Sequence, residues 1–244
     1  MELATVLVAA SAVFVGGYAR GYAGFGSGMI WAGGLSLVLP PVVVVPAIFL
    51  LDLAASAHLV PRVWKEIDWR SLRWLLLGAA ATTVPGLYLL AELPGDLVRA
   101  AIAVVILSVT LLLWRGFTLN AMPGPRTAPA AGLLSGFLGG GTGMGGPPAI
   151  LLYFSAPTTV GVSRASIIGY LFGLDVITGG LAAAQGLYTR EVALWSLALA
   201  LPMMAGIVLG NRQFGRSDPA RFRRLVLLLL ALLSLGVLAR ALLG

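Results

Sequence analysis

The chain has 244 residues, of which 59% are hydrophobic and only 10% charged, with 16 Lys+Arg against 9 Asp+Glu for a net charge of +7. A water-facing surface needs about a quarter of the residues charged. Soluble globular folds, disorder and coiled coils are therefore excluded, and the basic excess is too diluted for nucleic-acid binding. The absence of cysteine excludes disulfides, Fe–S clusters and thiolate chemistry, and the one histidine, His58, excludes a bis-histidine haem or a multi-histidine zinc site.

The N-terminus is acidic at Glu2, whereas a cleavable signal peptide wants a positive start. The first apolar stretch is accordingly expected in the mature protein. A charge at the bilayer centre costs at least ~2.5–3.5 kcal/mol, so charge-free stretches locate the membrane segments. In chain order they predict an all-α polytopic membrane protein. A first repeat, 1–117, holds a glycine-broken helix over 3–40 and single spans near 42–62, 70–91 and 97–115. A linker follows at 118–127. A second repeat, 128–244, holds a broken helix over 128–157 and spans near 160–186, 191–211 and 222–241. Each single span has about the 20 residues a bilayer requires.

The two broken helices carry the glycine clusters Gly24-Phe25-Gly26-Ser27-Gly28 and Gly139-Gly140-Gly141-Thr142-Gly143. Glycine costs about 1 kcal/mol in a helix interior, so each cluster predicts a half-helix, a non-helical tip and a second half-helix. The half-helices are expected at about a dozen residues each, too short to span alone. Sliding the sequence by 115 residues pairs Ser27 with Thr142. Asp52 pairs with Asp175 further along, and Gly86 with Gly210. Basic loops after the 42–62 span (Arg62, Lys65, Arg70, Arg73) and before the last span (Arg212, Arg216, Arg221, Arg223, Arg224) share the cytoplasmic side only if each broken helix is a re-entrant hairpin. Three crossings per half then make the halves inverted and put both termini outside the cytoplasm.

Two glycine-tipped halves in a cysteine-free chain of this size resemble the TauE/SafE family of sulfite and organosulfonate exporters, whose motif is of the Gly-x-Gly-Gly-Gly-x4-Pro type. Gly139–Gly143 followed by Pro148 matches it, and Gly24–Gly28 is the other copy, with Gly33 in the proline place. The resemblance implies a secondary transporter, exporter-like, of a small organosulfur anion in the bacterial cytoplasmic membrane.

The residues suggest the same chemistry. Half-helix N-termini near Gly28 and Gly143 would present N–H groups and positive dipole ends to a small oxyanion. Candidate substrate contacts are Gly24, Gly26, Ser27, Gly28, Gly139, Gly141, Thr142 and Gly143. The competing reading is that the glycines only let helices pack closely. Asp52 and Asp175 lie mid-span, where an acid is either a proton carrier or a capping and packing group. Arg20 could serve an anion, although snorkelling to the periplasmic surface is the favoured reading. His58 is placed at an interface rather than in a relay. The tryptophans Trp31, Trp64, Trp69, Trp74, Trp114 and Trp195 are expected as an aromatic belt. Gly141-x-Gly143-x-x-Gly146 spells a dinucleotide fingerprint, but no strand precedes it. No cofactor or metal is expected. The partners are the anion and membrane lipid, and the sequence is compatible with a homodimer. A passive anion channel is the first alternative. A membrane-embedded enzyme or assembly factor is the second, disfavoured because one histidine and no cysteine build few catalytic sets.

Overall fold

The computed structural model describes residues 3–115, 123–154, 156–213 and, in the last segment, 228, 231–232, 235–239 and 242. Most of the predicted 222–241 span and of the second basic loop lies outside the described residues. All regular structure within them is helical. The helices are α1 (Leu3–Ala23), α2 (Ser27–Ser36), α3 (Pro41–Val63), α4 (Trp69–Glu92), α5 (Gly95–Trp114), α6 (Thr127–Thr142), α7 (Gly146–Phe154), α8 (Val160–Ala184) and α9 (Arg190–Gln213).

Six of them are long and apolar enough to cross a bilayer: α1, α3, α4, α5, α8 and α9. Five of them are predicted single spans, and the sixth, α1, is the first arm of the first broken helix. α1 has 21 residues rather than a dozen, so the first arm of the first broken helix is itself of spanning length. The chain is a multi-pass membrane protein.

Both breaks fall where glycine alone is comfortable. α1 ends at Gly24, with φ +86°, and its N–H donates to Arg20 O at 2.7 Å. α6 ends at Gly143, with φ +73°, and its N–H donates to Gly139 O at 2.9 Å. These are left-handed helix stops of the kind a β-carbon penalises. After Gly24 the chain folds back: the Trp31 indole N–H donates to Val13 O at 3.0 Å, and Gly34 rests on Ala12. α1 and α2 thus form an antiparallel helical hairpin. α7 likewise turns back against α6 and α8.

α3 starts on Pro40-Pro41, where a missing N–H costs nothing because the first helical N–H groups lack carbonyl partners anyway. Together with α8 it occupies the centre of the molecule. The two run antiparallel. Past the end of α3, Asp68 N–H donates to Ser166 Oγ near the start of α8 at 2.9 Å, and Glu66 lies against Gly161.

The closest helix pairs are α1 with α9 and α4 with α6, and glycine makes both. On α6, a β-carbon at Gly136 would strike Ala79 O, and one at Gly140 would strike Thr83 O. Gly86 of α4 faces Phe137 O and Gly141 N. On α1, Gly17 faces Met203 O and Gly21 faces Ile207 O and Asn211 N. Gly210 of α9 faces Tyr18 O and Tyr22 N. Backbone lies against backbone along both seams, as small residues permit in membranes.

Trp64, Trp69 and Trp114 are exposed at helix ends, as a belt requires. Trp31 and Trp195 instead are buried in the core.

Candidate functional site

The hairpin tips meet. Gly28 approaches the second tip so closely that a methyl group there would sit 3.3 Å from Gly143 O and 3.6 Å from Asp52 Oδ2. Around this junction is a narrow cavity of about 20 Å³, room for about one water molecule. Its polar lining comes from Arg20, Ser27, Asp52, Asp175 and Thr178. Its apolar walls include Phe49, Ile150, Leu171 and Leu174.

Arg20 is the pivot. It does not snorkel: its side chain is fully buried and reaches across to α3. The reason is geometric. Arg20 lies one turn before the tip, and α2 and α3 bring three acceptors within reach. Nη1 donates to Asp52 Oδ1 at 2.8 Å and to Ser27 Oγ at 2.9 Å, while Nη2 donates to Ser56 Oγ. Ser27 Oγ donates in turn to Asp52 Oδ1 at 2.9 Å. Arg20 Nε has no acceptor among the described residues. A buried pair of this kind is tolerable only when such hydrogen bonds satisfy the charges.

Asp175 is held far more loosely. Among the described residues its hydrogen-bond partner is Ser56, whose Oγ donates to Oδ2 at 3.5 Å, a marginal bond. Both acids are 5% exposed, so the site confines one guanidinium and two carboxyl groups in a membrane-embedded pocket.

Of the residues singled out from sequence, Arg20, Gly26, Ser27, Gly28, Asp52, Gly139, Gly143 and Asp175 line this cavity. Gly26 has φ +92° and open space where a β-carbon would point. Four residues lie elsewhere. Gly24 packs on the aliphatic part of Arg164. Gly141 faces Gly86 on α4 and belongs to the packing seam. Thr142 is the last residue of α6 rather than the residue before α7, and its hydroxyl donates to Leu138 O at 2.6 Å. His58 is exposed on α3, with Nε2 3.0 Å from Arg62 Nη1.

The two tips differ in what they can offer. α2 opens with Ser27, Gly28 and Met29, all with N–H groups. α7 opens with Gly146-Pro147-Pro148, and proline has none. Behind the second tip, Tyr170 OH donates to Ser135 Oγ at 2.5 Å, and Ser135 Oγ donates to Gly145 O. Sequence reasoning missed Ser56, Ser135 and Tyr170. Ser56 was findable, since four residues after Asp52 is one turn along the same helix face.

A family model described as "Sulfite exporter TauE/SafE" matches residues 8–237. The "Probable sulfite/organosulfonate exporter TauE" of Cupriavidus necator is 30% identical over 219 residues, covering 86% of this chain and 84% of that protein. No solved structure matches the chain. With its glycine-stopped hairpins meeting over a buried arginine–carboxylate pocket, the chain belongs to the TauE/SafE family and is a membrane transporter, not an enzyme.

Proposed function

We propose that this transporter carries a small organosulfur anion, sulfite or a sulfonate, out of the cytoplasm across a bacterial inner membrane. The family supports the substrate class. The observation that carries the binding mode is the convergence of Arg20, Asp52 and Asp175 with the N-terminus of α2 in one cavity. A helix N-terminus offers N–H groups and a positive dipole end. The fully buried Arg20 keeps one N–H, at Nε, without an acceptor among the described residues, and that donor is available to an anion. Gly26, Ser27, Gly28, Gly139 and Gly143 would form the wall against which the anion rests.

Charge counting then suggests how transport is driven. With both acids ionised the pocket carries one positive and two negative charges, which repels an anion. A proton on one acid leaves it neutral. Asp52 is paired with Arg20 and also receives Ser27, both at short distance. Asp175 lacks comparable donors. The proton that admits the anion is assigned to Asp175, and the membrane potential, negative inside, drives the anion outward.

The same reading makes the chain two inverted halves. A shift of 119 residues carries Gly17, Tyr18, Gly21 and Tyr22 onto Gly136, Phe137, Gly140 and Gly141. A shift of 124 carries Ala79, Thr83, Gly86 and Leu87 onto Met203, Ile207, Gly210 and Asn211. The backbone contacts between these two sets are then equivalent in both seams. The antiparallel run of α3 and α8 supports the inversion. Inverted repeats with broken helices place the substrate where the halves meet.

The test is counterflow of labelled sulfite in proteoliposomes. Saturable exchange accelerated by unlabelled sulfite on the far side supports the carrier. Flux that never saturates supports a channel. No flux of sulfite or of methanesulfonate overturns the anion reading.

A further inference from the structure

The second tip has only one amide in its first turn to give an anion, and it is held from behind. α7 begins Gly146-Pro147-Pro148, so Gly146 carries the N–H that its two successors lack. Gly145 and Gly146 both line the cavity beside the fully buried Arg20, whose Nε has no acceptor among the described residues. The peptide between Gly145 and Gly146 is planar and trans, so its C=O and N–H point in opposite directions. Gly145 O is turned away from the cavity, toward α6, where Ser135 Oγ donates to it. Ser135 is itself fixed by Tyr170 on α8, whose hydroxyl donates to Ser135 Oγ at 2.5 Å. Neither side chain lines the cavity. Both are completely buried.

We propose that Ser135 and Tyr170 are positioning residues that turn the Gly145–Gly146 peptide so that the Gly146 N–H faces an oxygen of the bound oxyanion. This rests on the anion reading above and extends it. It makes the two halves unequal partners: the first tip binds through Arg20 and the amides of α2, the second through one amide aimed by two uncharged hydroxyls. In the first half, the position a shift of 119 residues earlier than Ser135 is Gly16, which has no side chain for such a brace.

The experiment measures sulfite affinity and exchange in proteoliposomes for Ser135→Ala, Tyr170→Phe and the double variant, with Arg20→Gln as a control. Losing an aimed hydrogen bond to an anion should raise Kd for Ser135→Ala by roughly tenfold, with maximal exchange rate within about twofold of the parent. Tyr170→Phe should raise it by about threefold, because Ser135 stays but is free to rotate. The double variant should be no weaker than Ser135→Ala, since Tyr170 acts only through Ser135. Unchanged affinity in the single variants, while Arg20→Gln abolishes binding, overturns the inference and leaves the anion reading standing. Additive losses in the double variant also overturn it, because they mean independent packing effects. If Ser135→Ala does not purify as a stable species, Tyr170→Phe decides, with parental affinity counting against the proposal. A parent protein that binds neither sulfite nor methanesulfonate removes the anion reading and this inference together.

Discussion

The unequal grip on Asp52 and Asp175 separates their expected behaviour. Asp52 neutralises a fully buried guanidinium, so Asp52→Asn leaves Arg20 without its counter-ion. Removing one partner of a buried pair costs about 3–5 kcal/mol, somewhat less where an amide can still accept a bond. The variant is expected to melt markedly lower in detergent. Asp175→Asn removes a charge that has little to compensate it and should fold normally. In the parent, anion affinity is expected to rise as pH falls, because a proton on Asp175 relieves repulsion of the anion. In Asp175→Asn that pH dependence should flatten, with affinity fixed near the low-pH value, and a titration of sulfite affinity from acid to neutral pH decides it. Thr142→Ala, despite its place in the glycine motif, is expected to leave binding unchanged, since that hydroxyl is committed to Leu138 O. Gly26→Ala should abolish binding without unfolding the protein, because its φ of +92° disfavours any β-carbon at the cavity wall while no neighbour crowds it.

At the scale of helices, glycine has two separate jobs that sequence reading ran together. Gly132, Gly136 and Gly140 recur every fourth residue and make one face of α6 flat against α4. Gly24, Gly26 and Gly143 take positive φ and end or start helices. Helix-stopping and packing glycines adjoin each other in both halves, Gly21 beside Gly24 and Gly140 beside Gly143, so glycine matches glycine at 115 residues, one helical turn away from the 119 that aligns the packing contacts. That turn is what moved Thr142 from a tip position to the end of α6. Hydropathy located α3, α4, α5, α8 and α9 to within a few residues, since a charge-free run of spanning length has one physical reading. It could not foresee that Arg20, in an apolar run, would find Asp52 thirty-two residues on, because that pairing depends on the hairpin folding back. The packing job gives its own prediction. A side chain at Gly136 meets Ala79 O and forces two backbones apart, so Gly136→Leu should cost about 1–3 kcal/mol, as overpacking does. Leu134→Ala, two residues away on an exposed face, should change the melting temperature little. Thermal melts of the two purified variants in detergent make the comparison.

Across the whole molecule, we infer one topology from the charges and the central packing. The turn after α3 carries Arg62, Lys65, Arg70 and Arg73, and the start of α8 carries Arg164. Asp68 and Ser166 are hydrogen-bonded, so both groups of cations lie on the same side of the membrane. Cationic loops remain cytoplasmic, which assigns that side. α4 then leads outward to the Glu92–Gly95 turn, and α8 leads outward to the Gln185–Thr189 turn. Both outer turns are poorer in basic residues, with Arg99 and Arg190 just beyond them. α5 returns to the inside and delivers Arg115 and Arg126 there. In this topology the α1–α2 hairpin would enter from the opposite side to the α6–α7 hairpin, which would let the two tips meet at the level of Asp52 and Asp175. The absence of cysteine makes the test direct. Single cysteines at Lys65 and Arg126 should react with a membrane-impermeant maleimide only in inverted vesicles. Single cysteines at Ala4, Glu92 and Thr189 should react in intact spheroplasts. Reaction of Lys65 and Glu92 from the same side would break α4 as a crossing. Reaction of Ala4 from the cytoplasm would make α1 a full crossing and end the inverted arrangement, because the two hairpins would no longer approach the shared cavity from opposite faces.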